Sequence, residues 1–102
     1  MKFAAIALGF AALSSSANAA DIEVDISKFA FTPREITVKP GATVVWTNRD
    51  ATPHTIKTKD GDFVSTGMDT GDTYQHTFAK AGDYTYFCTL HPFMTGIVHV
   101  HQ

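Results

Sequence analysis

Apolar and polar residues alternate along most of the chain from residue 21 onward. The segment IEVDI, for example, sets Ile22, Val24 and Ile26 against acidic residues. This period of two is typical of β-strands that bury one face. Further runs that favour strands are EITV at 35–38, ATVVWTN at 42–48, TYQHTF at 73–78, DYTYFC at 83–88 and IVHV at 97–100.

Turn-forming residues separate these runs at short intervals. KPG at 39–41, DG at 60–61 and AGD at 81–83 each supply glycine or proline between two strand patterns. The sequence contains no helical stripe longer than a turn and no internal repeat. The pattern predicts an all-β Greek-key β-sandwich of seven or eight strands, in which Trp46 anchors the core.

The first twenty residues, MKFAAIALGFAALSSSANAA, have a different pattern. Lys2 precedes an apolar run at 3–13, and small residues follow it. This order is typical of a secretory signal peptide, here residues 1–19, with cleavage after Ala19 or Ala20. The run is shorter than the roughly 20 apolar residues of a permanent membrane span. We therefore expect a periplasmic protein without a membrane anchor.

The predicted single domain, residues 20–102, is small enough that a hydrophobic core alone gives only marginal stability. Exported domains of this size often contain disulfides, but Cys88 is the one cysteine of the sequence. A bound metal is the other common stabiliser. The net charge of −2 at pH 7 gives no reason to expect a nucleic acid as partner.

The segment CTLHPFM places Cys88, His91 and Met94 at steps of three. That spacing would also fit one face of a helix, but Pro92 disfavours helical backbone at the preceding residue and lacks an amide donor. A tight loop between two strands is the better interpretation. One four-residue turn brings its ends within about 7 Å, and a second turn would add Met94 to the same site.

Thiolate, imidazole and thioether together form a soft ligand set, which favours copper, above all Cu(I). Zinc binds cysteine and histidine readily but seldom a thioether. A trigonal set of two histidines and one cysteine still lacks an imidazole from elsewhere in the fold. The candidates are His54, His76, His99 and His101.

Among these candidates, His54 is favoured because it lies in WTNRDATPHTI, where a strand ends and a proline-containing loop begins. His76 shares strand parity with Tyr74 and Phe78, so we expect it to point inward as a core or rim histidine. His99 and His101 are expected to be solvated surface residues, with an adventitious metal site as the alternative.

The order of these segments resembles the cupredoxin, or type 1 copper, family. The resemblance extends from Ile22 to Val100 and includes VKPGATVVWTN, YQHTFAKAGDYTYFC and the closing GIVHV. The short Cys-x2-His-x2-Met loop looks most like that of the amicyanins. The resemblance implies one copper ion per chain at one end of a cupredoxin-like sandwich. Its implied ligands are His54, Cys88, His91 and, as a weak axial ligand, Met94.

Three polar residues are expected to support that site. Family members often have asparagine directly after the first ligand histidine, whereas Thr55 occupies that place here. We expect the hydroxyls of Thr55 and Thr89, or the Thr55 amide and the Cys88 sulfur, to join the two ligand loops. Asn48 is expected to be a buried polar tether near the same loops.

The resemblance also implies how the site meets its partners, through an apolar patch around His91. The residues expected to form this patch are Pro53, Met68, Leu90, Pro92 and Phe93. Such a patch suits brief docking of redox proteins. An amine dehydrogenase and a c-type cytochrome are partners of amicyanin-like proteins, and we expect a monomer.

The expected function is therefore exported, single-electron transfer by a monomer with one copper ion. Coordination by protein ligands alone leaves no open position for a substrate, so we do not expect an enzyme. A copper-binding or copper-delivery protein is the alternative. A hydrolase with Cys88 as nucleophile is a third class, but so small a chain offers no evident substrate cleft.

Overall fold

The computed structural model describes residues 21–102, and the predicted signal peptide lies outside this part of the chain. The described residues form eight strands and no helix. None of them lies in a helix that is long and apolar enough to cross a membrane. The strands are β1 Ile22–Ser27, β2 Ala30–Thr32, β3 Glu35–Val38, β4 Ala42–Asn48, β5 Lys57–Thr58, β6 Thr73–Phe78, β7 Gly82–Phe87 and β8 Thr95–Val100.

Two four-stranded sheets make up the sandwich. One has the strand order β2-β1-β4-β6 and the other the order β3-β8-β7-β5. Both sheets are mixed, because β1 runs parallel to β4 and β3 runs parallel to β8. The predicted all-β sandwich of seven or eight strands is confirmed. In this topology, the β4–β5 and β7–β8 connections supply the residues of the candidate site.

Most strand bounds agree with the prediction to within a residue, and two of the differences lie next to the candidate site. The seventh strand is Gly82–Phe87, so Cys88 follows the strand instead of ending it. The eighth begins at Thr95, two residues before the predicted start. The short strands β2 and β5 were not predicted, because runs of two or three residues are too short to show a period.

The core lies between the inward faces of the two sheets and is rich in aromatic residues. Trp46 is fully buried, which confirms its predicted role as anchor. Its ring lies within 5.4–6.4 Å of the rings of Phe63, Tyr74, Phe78 and Tyr86, measured between centroids. These contacts fix β4 against β6 and β7, and so hold the strand ends from which the site loops leave.

Candidate metal centre

The Cys88–Met94 segment is a loop of two consecutive turns, as the sequence predicts. The amide of His91 donates to the Cys88 carbonyl over 3.2 Å, and the amide of Met94 donates to the His91 carbonyl over 2.9 Å. The Cys88 amide donates in turn to the Met94 carbonyl over 3.1 Å, which closes the loop. Cys88 and Met94 are buried and His91 is partly exposed.

His54 reaches the same place from the β4–β5 connection, where it is fully buried. Its amide and carbonyl pair with the carbonyl and amide of Met68 over 3.1 and 2.9 Å. The buried Asn48 side chain donates to the carbonyls of Thr52 and Met68 over 3.0 and 2.8 Å. Asn48 thus joins both chain segments that flank His54, and it lies where the sequence predicts a polar tether.

Three donor atoms converge at this end of the sandwich. The Cys88 Sγ lies 3.7 Å from His54 Nδ1 and 3.7 Å from His91 Nδ1, and all three atoms lie within 4.8 Å of one another. Metal–sulfur and metal–nitrogen bonds of about 2.3 and 2.0 Å in a trigonal plane separate the donors by about 3.7 Å. The donor set therefore fits one metal ion without rearrangement.

The orientation of His54 is fixed by a carboxylate that the sequence analysis did not single out. His54 Nε2 lies 2.9 Å from Asp50 Oδ2. A neutral imidazole carries one N–H, so donation from Nε2 to the carboxylate leaves the Nδ1 lone pair directed at Cys88. Asp50 thereby selects the tautomer that suits a metal ligand.

The same carboxylate also accepts hydrogen bonds from the turn between β1 and β2. The amides of Lys28 and Phe29 donate to Asp50 Oδ1 and Oδ2 over 2.7 and 2.9 Å. Burial acts to raise the pKa of Asp50, but the hydrogen bonds from Phe29, His54 and Lys28 outweigh burial and lower that pKa. Asp50 is therefore a carboxylate at neutral pH, and it connects the β1–β2 turn to the candidate ligand His54.

Two threonines join the loops that carry His54 and Cys88. The Thr55 amide donates to Cys88 Sγ over 3.3 Å, and the Thr55 hydroxyl lies 2.7 Å from the Thr89 hydroxyl. The Thr89 amide also donates to Thr55 Oγ1 over 2.8 Å. Both contacts that the sequence analysis offered as alternatives are present, and they hold the sulfur at a fixed distance from His54.

Exposed apolar side chains lie on and beside the loops that carry His91 and His54. Leu90 and Phe93 are 54% and 71% exposed, and Pro53 and Pro92 are exposed as well. Phe29 packs edge-on against the rings of both His54 and His91, with centroids 5.3 and 5.0 Å apart. We call Phe29, Pro53, Leu90, Pro92 and Phe93 the apolar rim.

The expectation that Met68 belongs to the surface patch is wrong. Met68 is 2% exposed and lies in the core cluster, because its backbone pairs with His54 and draws the side chain inward. Phe29 is 40% exposed and takes the place at the surface that the sequence analysis gave to Met68. The turn that contains Phe29 lacks the glycine or asparagine that usually marks a two-residue turn between strands. The sequence therefore contains no signal for this turn.

The other three histidines lie away from these donors. His76 stacks on Phe63 with centroids 4.1 Å apart, as a partly buried rim histidine. His99 and His101 lie near Asp83 on the outer face of the second sheet. Among the four candidate histidines, all of which the structure describes, His54 is the one that lies beside Cys88.

An all-β sandwich with a buried cysteine and two imidazoles at one end defines a class, the small copper proteins with a single protein-enclosed metal. The family model for copper-binding proteins of the plastocyanin/azurin family matches residues 18–101. Amicyanin-alpha from Methylorubrum extorquens is 38% identical, with 93% of this chain and 84% of the relative covered. Amicyanin from Paracoccus versutus is 40% identical, with 78% and 68% covered.

The solved structures agree with the sequence relatives. A reduced amicyanin variant has a TM-score of 0.73 at 41% identity, with 79% of this chain and 82% of that chain covered. The chain therefore belongs to the plastocyanin/azurin family of copper proteins, and among its members it is similar to the amicyanins. It is a type 1 copper electron carrier and not an enzyme.

Proposed function

We propose that this chain is exported to the periplasm and carries single electrons between two redox proteins, with one copper ion held by His54, Cys88, His91 and Met94. The observation that carries the proposal is the pair of 3.7 Å separations from the Cys88 sulfur to the two Nδ1 atoms. These separations equal those expected between the sulfur and nitrogen donors of a trigonal metal site, which supports the proposal.

Copper, when bound, supplies a centre that gains or loses one electron. The residues of the chain hold the donor atoms in place, so little movement is needed when an electron is gained or lost. Cys88, His54 and Met94 are buried and held by hydrogen bonds to Thr55, Asp50 and the loop backbone. Cu(I) and Cu(II) prefer different geometries, so a rigid donor set suits both states tolerably and favours rapid transfer.

The apolar rim supports docking of redox partners beside His91. His91 is the one of the three convergent donors with partial exposure, and Phe29 and Phe93 flank its ring. An exposed apolar surface of this kind suits small, short-lived interfaces. We propose that electrons enter and leave through His91, with a dehydrogenase and a c-type cytochrome as the classes of donor and acceptor.

The proposal is tested by the rate of electron self-exchange between oxidised and reduced protein, with Leu90→Glu compared with Val64→Glu. Both residues are exposed, at 54% and 60%, but Val64 lies outside the apolar rim. We expect Leu90→Glu to slow exchange, because two charged rims repel and resist desolvation, and Val64→Glu to have little effect. Equal rates in the two variants would contradict docking at the rim.

Retention of copper separates this function from copper delivery. A carrier of electrons should keep its ion through repeated reduction and oxidation, because His54, Cys88 and Met94 are buried and hinder exchange of the ion. Cycling the protein in the presence of a Cu(I) chelator measures this directly. Transfer of the ion to the chelator within a few cycles would support delivery instead.

A further inference from the structure

A second group of side chains that offer metal-ligand atoms lies on the outer face at the other end of the sandwich. His99 and His101 are two residues apart, and Asp83 pairs with His99 across β7 and β8. Single donor atoms of Asp83, His99 and His101 lie within 4.8 Å of one another. None of these residues has a part in the copper centre.

The hydrogen bonds of this group require His99 to be protonated. Asp83 Oδ1 lies 2.7 Å from His99 Nδ1 and 3.0 Å from His101 Nε2, and Glu35 Oε2 lies 2.9 Å from His99 Nε2. A neutral imidazole has one N–H, so His99 cannot donate to both carboxylates unless it is protonated. The two carboxylates raise the pKa of His99, with Glu35 as the larger cause. A metal ion can replace the proton between His99 and Asp83.

We propose that Asp83, His99 and His101 bind one divalent transition-metal ion of the zinc or copper(II) type. Two imidazoles and a carboxylate are donors that both ions accept. Once the ion has displaced the His99 proton, two neutral imidazoles and two carboxylates give the group a net negative charge that favours a dication. Bound ligands about 2.0–2.2 Å from the ion stand somewhat farther apart than the present 2.7 and 3.0 Å. Asp83 and His101 are 59% and 55% exposed, so they can open by that amount.

Glu35 acts on this site through His99. Its carboxylate accepts the His99 Nε2–H, which leaves Nδ1 free to bind the ion, just as carboxylates commonly orient metal-bound histidines. Glu35 is on β3, which pairs with β8, so three neighbouring strands build the site. Water would complete the coordination, because the group lies at the surface.

The two metal sites are far apart along the same strand. Asp83 is near the start of β7 and Cys88 follows its end, and five residues of strand at about 3.3 Å each span about 17 Å. Loading with one equivalent of Cu(II), which the copper centre takes up, therefore leaves the second site free for a titration with zinc.

The experiment is a calorimetric titration of the copper-loaded protein with zinc. We expect saturable binding of one zinc ion per chain, loss of that binding in His99→Ala and in His101→Ala, and affinity about tenfold or more weaker in Glu35→Gln. His76→Ala is the matched control, because it removes a histidine outside the group, and it should bind zinc like the parent. The copper absorption of each variant shows that the fold and the copper centre are intact.

Selective movement of the His99 and His101 ring signals in NMR spectra during the titration would support the proposal further. Zinc binding of unchanged affinity in both His99→Ala and His101→Ala would overturn it. The absence of saturable binding in the parent protein would overturn it equally.

Discussion

Asp50 connects the β1–β2 turn to the candidate ligand His54. Its two oxygens accept from the amides of Lys28 and Phe29 and from His54 Nε2. Lys28 and Phe29 have positive φ angles of 54° and 58°, which cost energy in residues other than glycine. The carboxylate thus stabilises an unfavourable turn and orients a candidate ligand at once.

Replacement of Asp50 by asparagine tests this double role. An amide has one acceptor oxygen, so it cannot accept from both amides and from His54. We expect Asp50→Asn to weaken copper binding by about 10–100-fold and to raise the reduction potential, because loss of a negative charge near the ion favours Cu(I). Asp62→Asn removes the same charge from an exposed loop and is the control. Equal copper affinities in the two variants would contradict a positioning role for Asp50.

The Thr55 hydroxyl gives a second prediction for a single residue. It accepts from the Thr89 amide and contacts the Thr89 hydroxyl, so Thr55→Val leaves a partly buried donor without its partner. We expect a loss of about 1–3 kcal/mol in the free energy of unfolding in urea. Thr43→Val breaks a similar hydroxyl pair with Thr77 at the surface and should change stability by less than about 0.5 kcal/mol. A loss in Thr55→Val no larger than in this control would show that the inter-loop contact contributes little.

At this scale, the sequence predicted features of the ligand loops themselves and missed contacts made by distant segments. Cys88, His91 and Met94 were predicted as donors because their spacing closes two turns, which is a local property of the chain. Phe29 and Asp50 were missed because their roles depend on contacts between distant loops. A turn of Lys28 and Phe29 has no sequence signal, since its conformation is stabilised by a carboxylate 21 residues away.

Among the strands, β8 contains a position where only glycine fits. Gly96 lies opposite Tyr86 on β7, and a Cβ at this residue would approach the Tyr86 ring to 2.4 Å. Burial of that ring raises the pKa of Tyr86 to about 12, which reflects how closely the core encloses it. The close pairing of β7 with β8 therefore depends on the absence of a side chain at Gly96.

Gly96→Ala should destabilise the protein by about 1–3 kcal/mol, since overpacking forces the ring or the strand to shift. Gly67→Ala is the control, because nothing lies within 4 Å of the added Cβ and its φ is not positive. Urea unfolding of the two variants measures the difference. Equal stabilities would mean that the Tyr86 ring moves without cost.

The edge of the first sheet should show a pH dependence through His76 on β6. Burial lowers the pKa of His76, against a smaller opposing effect from Asp62. The unfolded chain therefore binds a proton at a higher pH than the folded chain does. The contribution of this histidine to stability is complete above its unfolded pKa of about 6.5 and decreases as the pH falls toward the folded pKa.

His76→Phe keeps the stacking on Phe63 but removes the titrating group. We expect the stability of this variant, relative to the parent, to increase between about pH 7 and pH 5. Urea unfolding at a series of pH values measures it, and NMR titration of the His76 ring gives the pKa itself. A relative stability that does not change with pH would contradict the lowered pKa.

Strands with several alternating residues, such as β4 and β6, were predicted with their bounds because the period is visible within each. The sheet order was not predicted, since it depends on which apolar faces meet after folding. The short strands β2 and β5 were not predicted for the same reason. β2 pairs with β1 through a two-residue turn, and β5 pairs with the end of β7. Tertiary contacts therefore create these elements.

At the scale of the whole described domain, the two sheets hold the candidate metal centre at one end and leave His91, its most exposed candidate ligand, at the surface. Trp46 and its aromatic neighbours stabilise the strands, and the loops between β4 and β5 and between β7 and β8 carry His54 and Cys88. The architecture thus separates a rigid core from the apolar rim around His91. The second group, at Asp83, lies at the far end of the same strands.

The central claim, that His54, Cys88 and His91 enclose one copper ion, is tested most directly by the visible spectrum of the folded protein after addition of one equivalent of Cu(II). We predict an intense copper–thiolate absorption that is lost in Cys88→Ser and in His54→Ala and retained in His76→Ala. A colourless parent protein, or an unchanged absorption in His54→Ala, would contradict the claim.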